Sequence, residues 1–351
     1  MEQVVAVDLG FGWVKAMGAR GKCRFPSVVA KAELGEVLAV REKGGDDAGN
    51  AESLMATIFQ ADRRATTVVA GKAATLGSSM STRPFEADRS FSDHAAWLVF
   101  LAAARVMDPL NHRVRLAVGL PFAQYRQEGT RERVRRWLEG QEVIVEFHEP
   151  DMERAFRFEA VDVYAQGLAG LVAAMEDFEE LADLHSGVVM VIDIGTRTTE
   201  YLGVDMERSQ ILSQLSGTID LGMNQVHQQV LGQLQRKVAM APWRLHDMEK
   251  IIADGYARYQ GRRYEVTDMY EEALKDLAAA LRHDLAGRWQ REMVTAEAVV
   301  VMGGGGKALE KELRKAWGET QVFVPADAQF ANTRGYWLMS LAKQHAATQG
   351  V

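Results

Sequence analysis

The feature that most constrains the fold is one short pattern that occurs in both halves of the chain. Residues 5–15 read VAVDLGFGWVK and residues 190–200 read MVIDIGTRTTE. In each, an apolar run typical of a buried strand ends in Asp, an apolar residue and Gly, and a turn and a second strand follow. A duplicated fold whose halves each present one β-hairpin to a shared cleft explains this repeat.

Strand-like and helix-like segments alternate along the whole chain, which favours an α/β class. The predicted strands are Gln3–Asp8, Trp13–Met17, Phe25–Ala30, Thr66–Ala70, Arg113–Gly119, Val143–His148, Phe156–Ala160, Val188–Ile194, Thr199–Val204, Gln210–Leu215, Ala298–Gly303 and Gln321–Val324. The predicted helices are Asp93–Met107, Gly129–Glu139, Val163–Leu184, Leu221–Val238, Leu245–Ala253, Asp268–Arg291, Gly306–Trp317 and Phe330–Gln344. Composition predicts a surface excursion at Leu34–Ser53 and a flexible lid or linker at Leu76–Asp93.

Composition excludes several classes of protein. The 351 residues suit two domains or one large α/β unit. A net charge of −7 gives no electrostatic footprint for direct binding to nucleic acid. The single cysteine, Cys23, excludes an intrachain disulfide and a cysteine-based zinc site. The longest apolar run, Ala95–Ala104, is about half of a membrane span, and no signal peptide is visible, so we expect a cytoplasmic protein without membrane contact.

The two turns have the composition of anion sites. Glycine allows backbone N–H groups to converge on a phosphate, and Gly10 and Gly12 supply the first turn while Gly195 begins the second. Two such turns would hold a polyphosphate from both sides, and Lys15 would reach the β- and γ-phosphates as a point charge.

The aspartates that end the two buried strands suit a metal. Mg²⁺ keeps most of its waters, and carboxylates commonly contact it through them. Asp8 and Asp193 are therefore predicted to hold a hydrated Mg²⁺ ion. A single Asp-x-Gly would be read as a structural turn; the paired occurrence favours the functional interpretation.

A third glycine-rich segment lies near the C-terminus, where Val299–Met302 runs into Gly303–Gly306. It is not a Walker A loop, because Ala308 occupies the Ser/Thr position. A weak match to G-x-G-x-x-A keeps a dinucleotide site open, although 45 residues after Gly306 leave little room for such a domain. A plain strand-to-helix turn is the remaining alternative.

In order and separation, these three segments resemble the phosphate-one, phosphate-two and adenosine motifs of the actin-like ATPases. Three further segments are similar to ParM-type plasmid-segregation actins and their archaeal relatives: VGLP at 118–121, DIG followed by TTE at 193–200, and FANTRGY at 330–336. The resemblance implies an α/β, actin-like fold, which is the duplicated ribonuclease H-like arrangement of two domains with a nucleotide cleft between them.

The resemblance also implies domain boundaries. Residues 1–162 would form domain I, with an inserted subdomain at approximately 31–92. Residues 163–329 would form domain II, with a helical subdomain at approximately 221–292, and residues 330–351 would form a helix that returns to domain I.

Roles carry over position by position. Asp8 and Asp193 match the two nucleotide–metal aspartates. Gln166 falls where relatives place the residue that orients the attacking water, with Glu159 as the fallback. Arg197 departs from the family, which commonly has glycine there; contact with phosphate and projection into solvent both stay open. The residues matched to the nucleotide are Asp8, Gly10, Gly12, Lys15, Gly195, Thr196, Gly303, Gly304 and Gly305.

The implied function is a polymerising ATPase that binds ATP, or GTP, with Mg²⁺. Its partners would be further copies of itself, joined head to tail, and a small DNA-binding adaptor of ParR type that links the filament to plasmid DNA. The alternative is a small-molecule, sugar-type kinase of the same superfamily, although no candidate motif for its general base is present. A membrane-associated actin homologue would need a terminal amphipathic anchor, and Lys343–Gln349 lacks the apolar face.

Other conspicuous residues are given structural interpretations. The arginines of residues 131–136 alternate with glutamate, which is typical of a solvated helix face. The histidines are scattered without ligand spacing, so a zinc site is not expected. Ser92-Asp93-His94 has the letters of a catalytic triad, but adjacency in sequence does not produce triad geometry.

Overall fold

The computed structural model describes residues 2–32, 52–61, 63–77, 91–148, 152–290, 292–317 and 321–349. The chain forms two compact units, one of Met1–Ala173 with Phe330–Val351 and one of Ala174–Gln329. Most of the predicted excursion at Leu34–Ser53 and of the predicted lid at Leu76–Asp93 falls outside the described residues. The domain boundaries given above stay predictions.

The described strands and helices are numbered in chain order. The strands are β1 (Gln3–Leu9), β2 (Trp13–Gly18), β3 (Gly21–Pro26), β4 (Val29–Lys31), β5 (Ser53–Gln60), β6 (Arg63–Gly71), β7 (Arg113–Leu120), β8 (Glu142–Phe147), β9 (Glu153–Ala165), β10 (Val188–Ile194), β11 (Thr199–Asp205), β12 (Gln210–Ile219), β13 (Tyr256–Tyr259), β14 (Arg262–Glu265), β15 (Ala298–Met302) and β16 (Gln321–Phe323). The helices are α1 (Lys72–Gly77), α2 (Asp93–Val106), α3 (Phe122–Tyr125), α4 (Thr130–Leu138), α5 (Leu168–Met175), α6 (Glu179–Ala182), α7 (Met223–Lys237), α8 (Met248–Asp254), α9 (Thr267–Trp289), α10 (Glu292–Thr295), α11 (Gly306–Ala316) and α12 (Ala331–Gln349).

The two units are built on the same sheet topology. In the first unit the described strands form one mixed sheet in the order β3-β2-β1-β7-β9-β8-β5-β6-β4. In the second unit the order is β12-β11-β10-β15-β16. In both, three antiparallel strands are followed by parallel neighbours, since β1 is parallel to β7 and β10 is parallel to β15. The five strands β3-β2-β1-β7-β9 thus correspond to β12-β11-β10-β15-β16, which is the predicted duplication.

Burial on both faces explains why the central strands are apolar throughout. In β1, Val5 and Val7 pack in the large core with α2, which is apolar on nearly every side. Ala6 faces the opposite way and packs with Tyr336 of α12. A helix therefore covers each face of this sheet, and the end of β1 is fixed where the first turn begins.

One predicted helix is wrong in its first part. The sequence pattern predicts a helix over Val163–Leu184, but β9 continues to Ala165 and α5 begins only at Leu168. Gly167 separates them with a φ of +76°, a conformation that glycine adopts without steric cost. β-Branched and aromatic residues in 161–164 favour a strand, and Gln166 consequently lies in a turn and not in a helix.

The sequence pattern also misses a strand and a hairpin. β5 was not predicted, although it pairs with β6 and β8 in the middle of the first sheet. β13 and β14 form an antiparallel hairpin whose two-residue turn, Gln260-Gly261, has φ angles of +47° and +79°. This is the turn geometry that matches the twist of paired strands, and Gly261 was its only sequence signal.

A buried aspartate ties the C-terminal helix to the first sheet. Asp162 in β9 accepts hydrogen bonds from Ser340 at 2.7 Å and from Arg115 at 3.1 Å, and it forms an ion pair with Lys343. Burial alone would raise the pKa of this carboxyl, but the bonds from Lys343, Ser340 and Arg115 outweigh burial and lower it. The carboxylate therefore contributes stability above the pKa of the unfolded chain, near 4, and that contribution is lost as pH falls through the folded-state pKa.

We expect Asp162→Asn to lower the free energy of unfolding at pH 7 by about 2–3 kcal/mol, because it leaves Lys343 and Arg115 without their buried partner. The loss of stability of the wild-type protein as pH falls below about 4 should become shallower in the variant, because the folded-state pKa of Asp162 is lowered. Urea unfolding at several pH values measures both effects. Glu128→Gln, at an exposed position, is the matched control, and an equal loss in both variants would contradict the assignment.

Candidate functional site: two Asp-x-Gly turns

The first turn joins β1 to β2 and is braced from a third segment. The Gly10 N–H donates to the Trp13 carbonyl at 3.1 Å, and a Cβ at Gly10 would lie 2.9 Å from that oxygen. The Ser27 hydroxyl donates to the Gly10 carbonyl at 2.6 Å, and the Ser27 N–H donates to the Gly12 carbonyl at 2.9 Å. The turn is therefore closed by its own backbone and held in place by Ser27.

Asp8 is the centre of a small polar cluster beside this turn. It is 2% exposed, and it is opposite Lys15 in the β1–β2 register. The Lys15 Nζ lies 2.7 Å from Asp8 Oδ2, and the Gln166 Nε2 donates to Asp8 Oδ1 at 3.1 Å. Because the amide nitrogen faces the carboxylate, the amide oxygen of Gln166 is the atom that can accept a hydrogen bond from water.

The backbone holds Gln166 in this position from two sides. Its N–H donates to the Leu120 carbonyl at 2.9 Å, at the end of β7. The next N–H, that of Gly167, donates to Oδ1 of the buried Asn332 at 2.9 Å. The fallback residue, Glu159, lies seven residues earlier, about 20 Å back along β9, where it pairs with Arg113 at 3.2 Å. The structure therefore brings Gln166, and not Glu159, to Asp8.

The second turn repeats the geometry of the first. The Gly195 N–H donates to the Thr198 carbonyl at 2.9 Å, and a Cβ at Gly195 would lie 2.9 Å from that oxygen. On its other side, N–H groups at the start of α7 donate to the turn: Met223 to the Gly195 carbonyl at 3.1 Å and Asn224 to the Thr196 carbonyl at 2.7 Å. The carbonyls of this turn are thus satisfied by the helix.

The third glycine segment meets the second turn within the same unit. Asp193 pairs in register with Met302, the last residue of β15. Gly303 follows with a φ of +84°, and a Cβ there would lie 2.3 Å from Asp193 Oδ1. The Gly305 N–H donates to the Ile194 carbonyl at 2.9 Å. Glycine at 303 thus permits the Asp193 carboxylate to lie against the start of the third segment.

The predicted site residues therefore form two sets. In the first unit, Lys15 and Gln166 both contact Asp8, beside the turn that contains Gly10 and Gly12. In the second unit, the turn with Gly195 and Thr196 lies beside Asp193 and the Gly303–Gly305 segment, with Gly304 exposed. Arg197 lies 3.4 Å from Asp220, an exposed ion pair at the same turn.

The donor set suits a hydrated cation with a phosphate. No group of three or more His, Cys, Asp or Glu side chains that could hold a metal ion occurs within the described residues. Mg²⁺ that keeps its waters needs only one or two carboxylates, and each unit contains one candidate, Asp8 in the first and Asp193 in the second. Lys15 and Gln166 add a cation for phosphate oxygens and an amide for water.

Two family models match the chain, one in each half. The model described as "Actin like proteins N terminal domain" matches residues 6–168. The model described as "Archaeal actin homologue MreB-like, C-terminal" matches residues 191–315. The chain is an actin-like protein. Each match begins inside an Asp-x-Gly strand, and the second includes the glycine segment at 303–306. No curated protein matches the sequence directly.

Solved actin-like structures have the same fold over the whole chain. The archaeal actin homologue Ta0583 is 18% identical with a TM-score of 0.79, over 97% of this chain and 99% of that one. ParM in a 15-stranded filament from Clostridium botulinum is 17% identical with a TM-score of 0.79, over 98% and 99%. Bacillus thuringiensis ParM with ATP is 18% identical with a TM-score of 0.71, over 98% and 99%. The predicted actin-like α/β fold is confirmed.

Sequence reasoning missed two residues that shape this actin-like site. Ser27 braces the first turn, and its only local signal was a small polar residue between Pro26 and an apolar pair. Asn332 holds the turn after β9 and lies in the FANTRGY segment, which was used only as a mark of resemblance. Among the described residues, no helix has the length and hydrophobicity that crossing a bilayer requires.

Proposed function

We propose that this actin-like protein binds ATP or GTP with Mg²⁺, assembles into filaments while the nucleotide is bound, and hydrolyses that nucleotide. The carrying observation is the cluster of Asp8, Lys15 and Gln166 beside the first turn, together with a second turn of the same geometry beside Asp193. Solved structures of similar proteins support the ligand and the assembly: Ta0583 in complex with ADP, ParM with ATP, and a ParM filament.

The roles follow from the chemistry of each side chain. The turns at Gly10–Gly12 and Gly195–Thr196 would contact the phosphates of one nucleotide, and Lys15 would contact the β- and γ-phosphates. Asp8 and Asp193 would hold Mg²⁺ through its waters, and the ion would supply charge neutralisation at the phosphate oxygens.

Gln166 and the third glycine segment would position the attacking water and the adenosine of the nucleotide. Gln166 has its amide nitrogen fixed by Asp8, so its oxygen would orient the attacking water; an amide is too weak a base to take the proton outright. The segment Gly303–Gly305 would lie against the adenosine. Loss of the γ-phosphate would remove contacts to both turns and weaken the filament.

For the biological role, we propose segregation of plasmid DNA in the cytoplasm. The acidic balance of the chain, −7, argues against direct binding to DNA, so a small DNA-binding adaptor of ParR type would connect the filament to its cargo. Self-assembly would be head to tail, because a contact between two different surfaces builds an open helical filament when its rotation does not close a ring.

One experiment tests the proposal: light scattering, phosphate release and negative-stain electron microscopy of the purified protein after addition of ATP and Mg²⁺. We expect scattering to rise at once, filaments to be visible at the plateau, and scattering to fall as phosphate accumulates. Chelation of Mg²⁺ should prevent the rise. Phosphoryl transfer to a member of a sugar panel, without any rise in scattering, would replace this function by that of a kinase.

A further inference from the structure

The second unit contains a positively charged β-hairpin. We name as the basic hairpin residues 256–264, which form β13, the turn and most of β14, together with Met240 and Trp243. The Trp243 ring packs edge-on against Tyr259 and Tyr264, with ring centroids 6.0 Å and 5.7 Å away, and its indole N–H donates to the Arg258 carbonyl at 3.3 Å. These contacts and the two-residue turn fix the conformation before any partner binds.

Two arginines of the basic hairpin repel each other across its two strands. Arg258 and Arg263 lie directly opposite each other in the β13–β14 register, and like charges in that position repel. Both guanidinium groups lie over the Tyr256 ring, 5.1 Å and 4.3 Å from its centroid. Arg258, Arg262 and Arg263 are exposed, and residues 256–264 contain no acidic residue. An acidic partner would neutralise this repulsion.

The same unit carries a surface of opposite charge, which we name the acidic edge: residues 176–183 with Val294. Five residues of the segment are acidic and exposed, and none is basic: Glu176, Asp177, Glu179, Glu180 and Asp183. Phe178 packs on Phe323 of β16 at a centroid distance of 5.1 Å, and Leu181 is fully buried, so the acidic residues are held on a fixed backbone.

Each surface also presents one exposed apolar side chain. Met240 of the basic hairpin is 85% exposed, and Val294 of the acidic edge is 82% exposed. Large apolar side chains this exposed are uncommon in the described structure, and burial of both in one contact would add apolar area to the charge pairing. Val294 lies at the edge of the sheet where β10 and β15 begin, since the Glu297 N–H donates to the Val188 carbonyl.

The two surfaces lie at opposite ends of the second unit. α7 begins at the turn that follows β10, and it pairs antiparallel with α9 through the bonds Gln229–Asp276 and Gln233–Glu272. That register places Arg282 level with the start of α7. Seven further residues, about 10 Å, bring α9 to Trp289, whose indole N–H donates to the Leu215 carbonyl within the sheet. The C-terminal end of α9 thus packs on the sheet, and the C-terminal end of α7 lies away from it.

The basic hairpin immediately precedes α9. It therefore lies beyond the end of the sheet at which β10 ends. Four residues separate Asp183, the last acidic residue of the acidic edge, from the first residue of β10, so this part of the acidic edge lies at the other end of the strand. Two surfaces of opposite charge at opposite ends of one compact unit suit a contact that repeats in one direction.

We propose that the basic hairpin of one copy docks on the acidic edge of the next copy, as a head-to-tail contact of the filament. This inference rests on the proposed polymerising function and names the surfaces that carry it. Nucleic acid is the less suitable partner, because the Tyr256 face is covered by arginines and Trp243 packs edge-on within the hairpin, so neither ring is presented for base stacking.

Charge exchange tests the contact. The hairpin variant carries Arg258→Glu and Arg263→Glu, and the edge variant carries Glu179→Arg and Glu180→Arg. Each variant alone faces like charge with like charge, so we expect at least a tenfold rise in the concentration at which assembly begins with ATP and Mg²⁺. A 1:1 mixture restores opposite charges at every contact and should assemble near the wild-type concentration. Lys275→Glu with Lys311→Glu, both exposed and outside the two surfaces, is the matched control.

The possible results distinguish failure of this contact from failure of the proposed polymerising function. Recovery in the mixture supports the contact and also establishes that both variants are folded. If the wild type forms filaments and both variants assemble as well as it does, this contact alone is overturned. The same holds if the 1:1 mixture does not assemble although each variant binds nucleotide normally. A wild-type protein that stays monomeric overturns the proposed function and this inference together. Wild-type binding to a fluorescent DNA duplex that only the hairpin variant loses, with assembly kept, assigns the hairpin to nucleic acid instead.

Discussion

The Asp193→Ala variant is expected to fold normally and to lose nucleotide hydrolysis, with turnover reduced at least about 100-fold, or about 2.7 kcal/mol in the barrier. Asp193 lies one residue before the end of β10, the central strand of the second sheet, and its carboxylate lies against Gly303, where the glycine segment begins. Removing it would delete one of the two carboxylates proposed for Mg²⁺, so charge on the phosphates would be less well neutralised. Phosphate release at saturating ATP and Mg²⁺ measures the effect.

The matched control is Asp205→Ala, which removes the same side chain at the opposite end of the same sheet, where Asp205 pairs with Val188 at the start of β10. Asp205 caps a surface turn by accepting from the Arg208 N–H at 3.0 Å, so its loss should cost about 0.5–1 kcal/mol of stability and leave turnover unchanged. Thermal unfolding of both variants checks that the fold persists. Near-normal hydrolysis by folded Asp193→Ala would remove this residue from the proposed metal site.

The turns could be predicted from the sequence because their signals are local. An apolar strand, an aspartate and a glycine stand within six residues, and the backbone bond that closes each turn spans three residues, from Gly10 to Trp13 and from Gly195 to Thr198. Register and burial then follow from the apolar pattern alone. The duplication was visible for the same reason, since the pattern occurs twice.

The hydrogen bonds that hold Gln166 and Gly167 in place could not be predicted in this way, because they join residues that are far apart in the sequence. Gln166 reaches Asp8 across 158 positions, and Asn332 reaches Gly167 across 165. Nothing in the periodicity near Gln166 indicates a turn, and the apolar spacing after Val163 satisfies a helix as well as a strand. Only the family resemblance assigned Gln166 a role beside the nucleotide, and that role stays a prediction.

Gly335→Ala is expected to lower the free energy of unfolding by about 2–4 kcal/mol, although alanine favours helices. A Cβ at this position of α12 would lie 1.8 Å from the backbone oxygen of Ala169 in α5. A backbone atom cannot move aside as a flexible side chain can, so the two helices would have to separate. Urea or thermal unfolding measures the loss, and the same displacement should slow hydrolysis, because α5 follows the turn that carries Gln166.

Gly287→Ala separates crowding from helix propensity. Gly287 lies inside α9, and a Cβ there would meet no atom within 4 Å, so this variant should be more stable than the wild type by about 0.5–1 kcal/mol. The two substitutions are identical and both positions are helical; only the space around the added methyl group differs. If both variants gained stability, α12 and α5 would not be in backbone contact at Gly335, and the support assigned to the Gln166 turn through Asn332 would lose its basis.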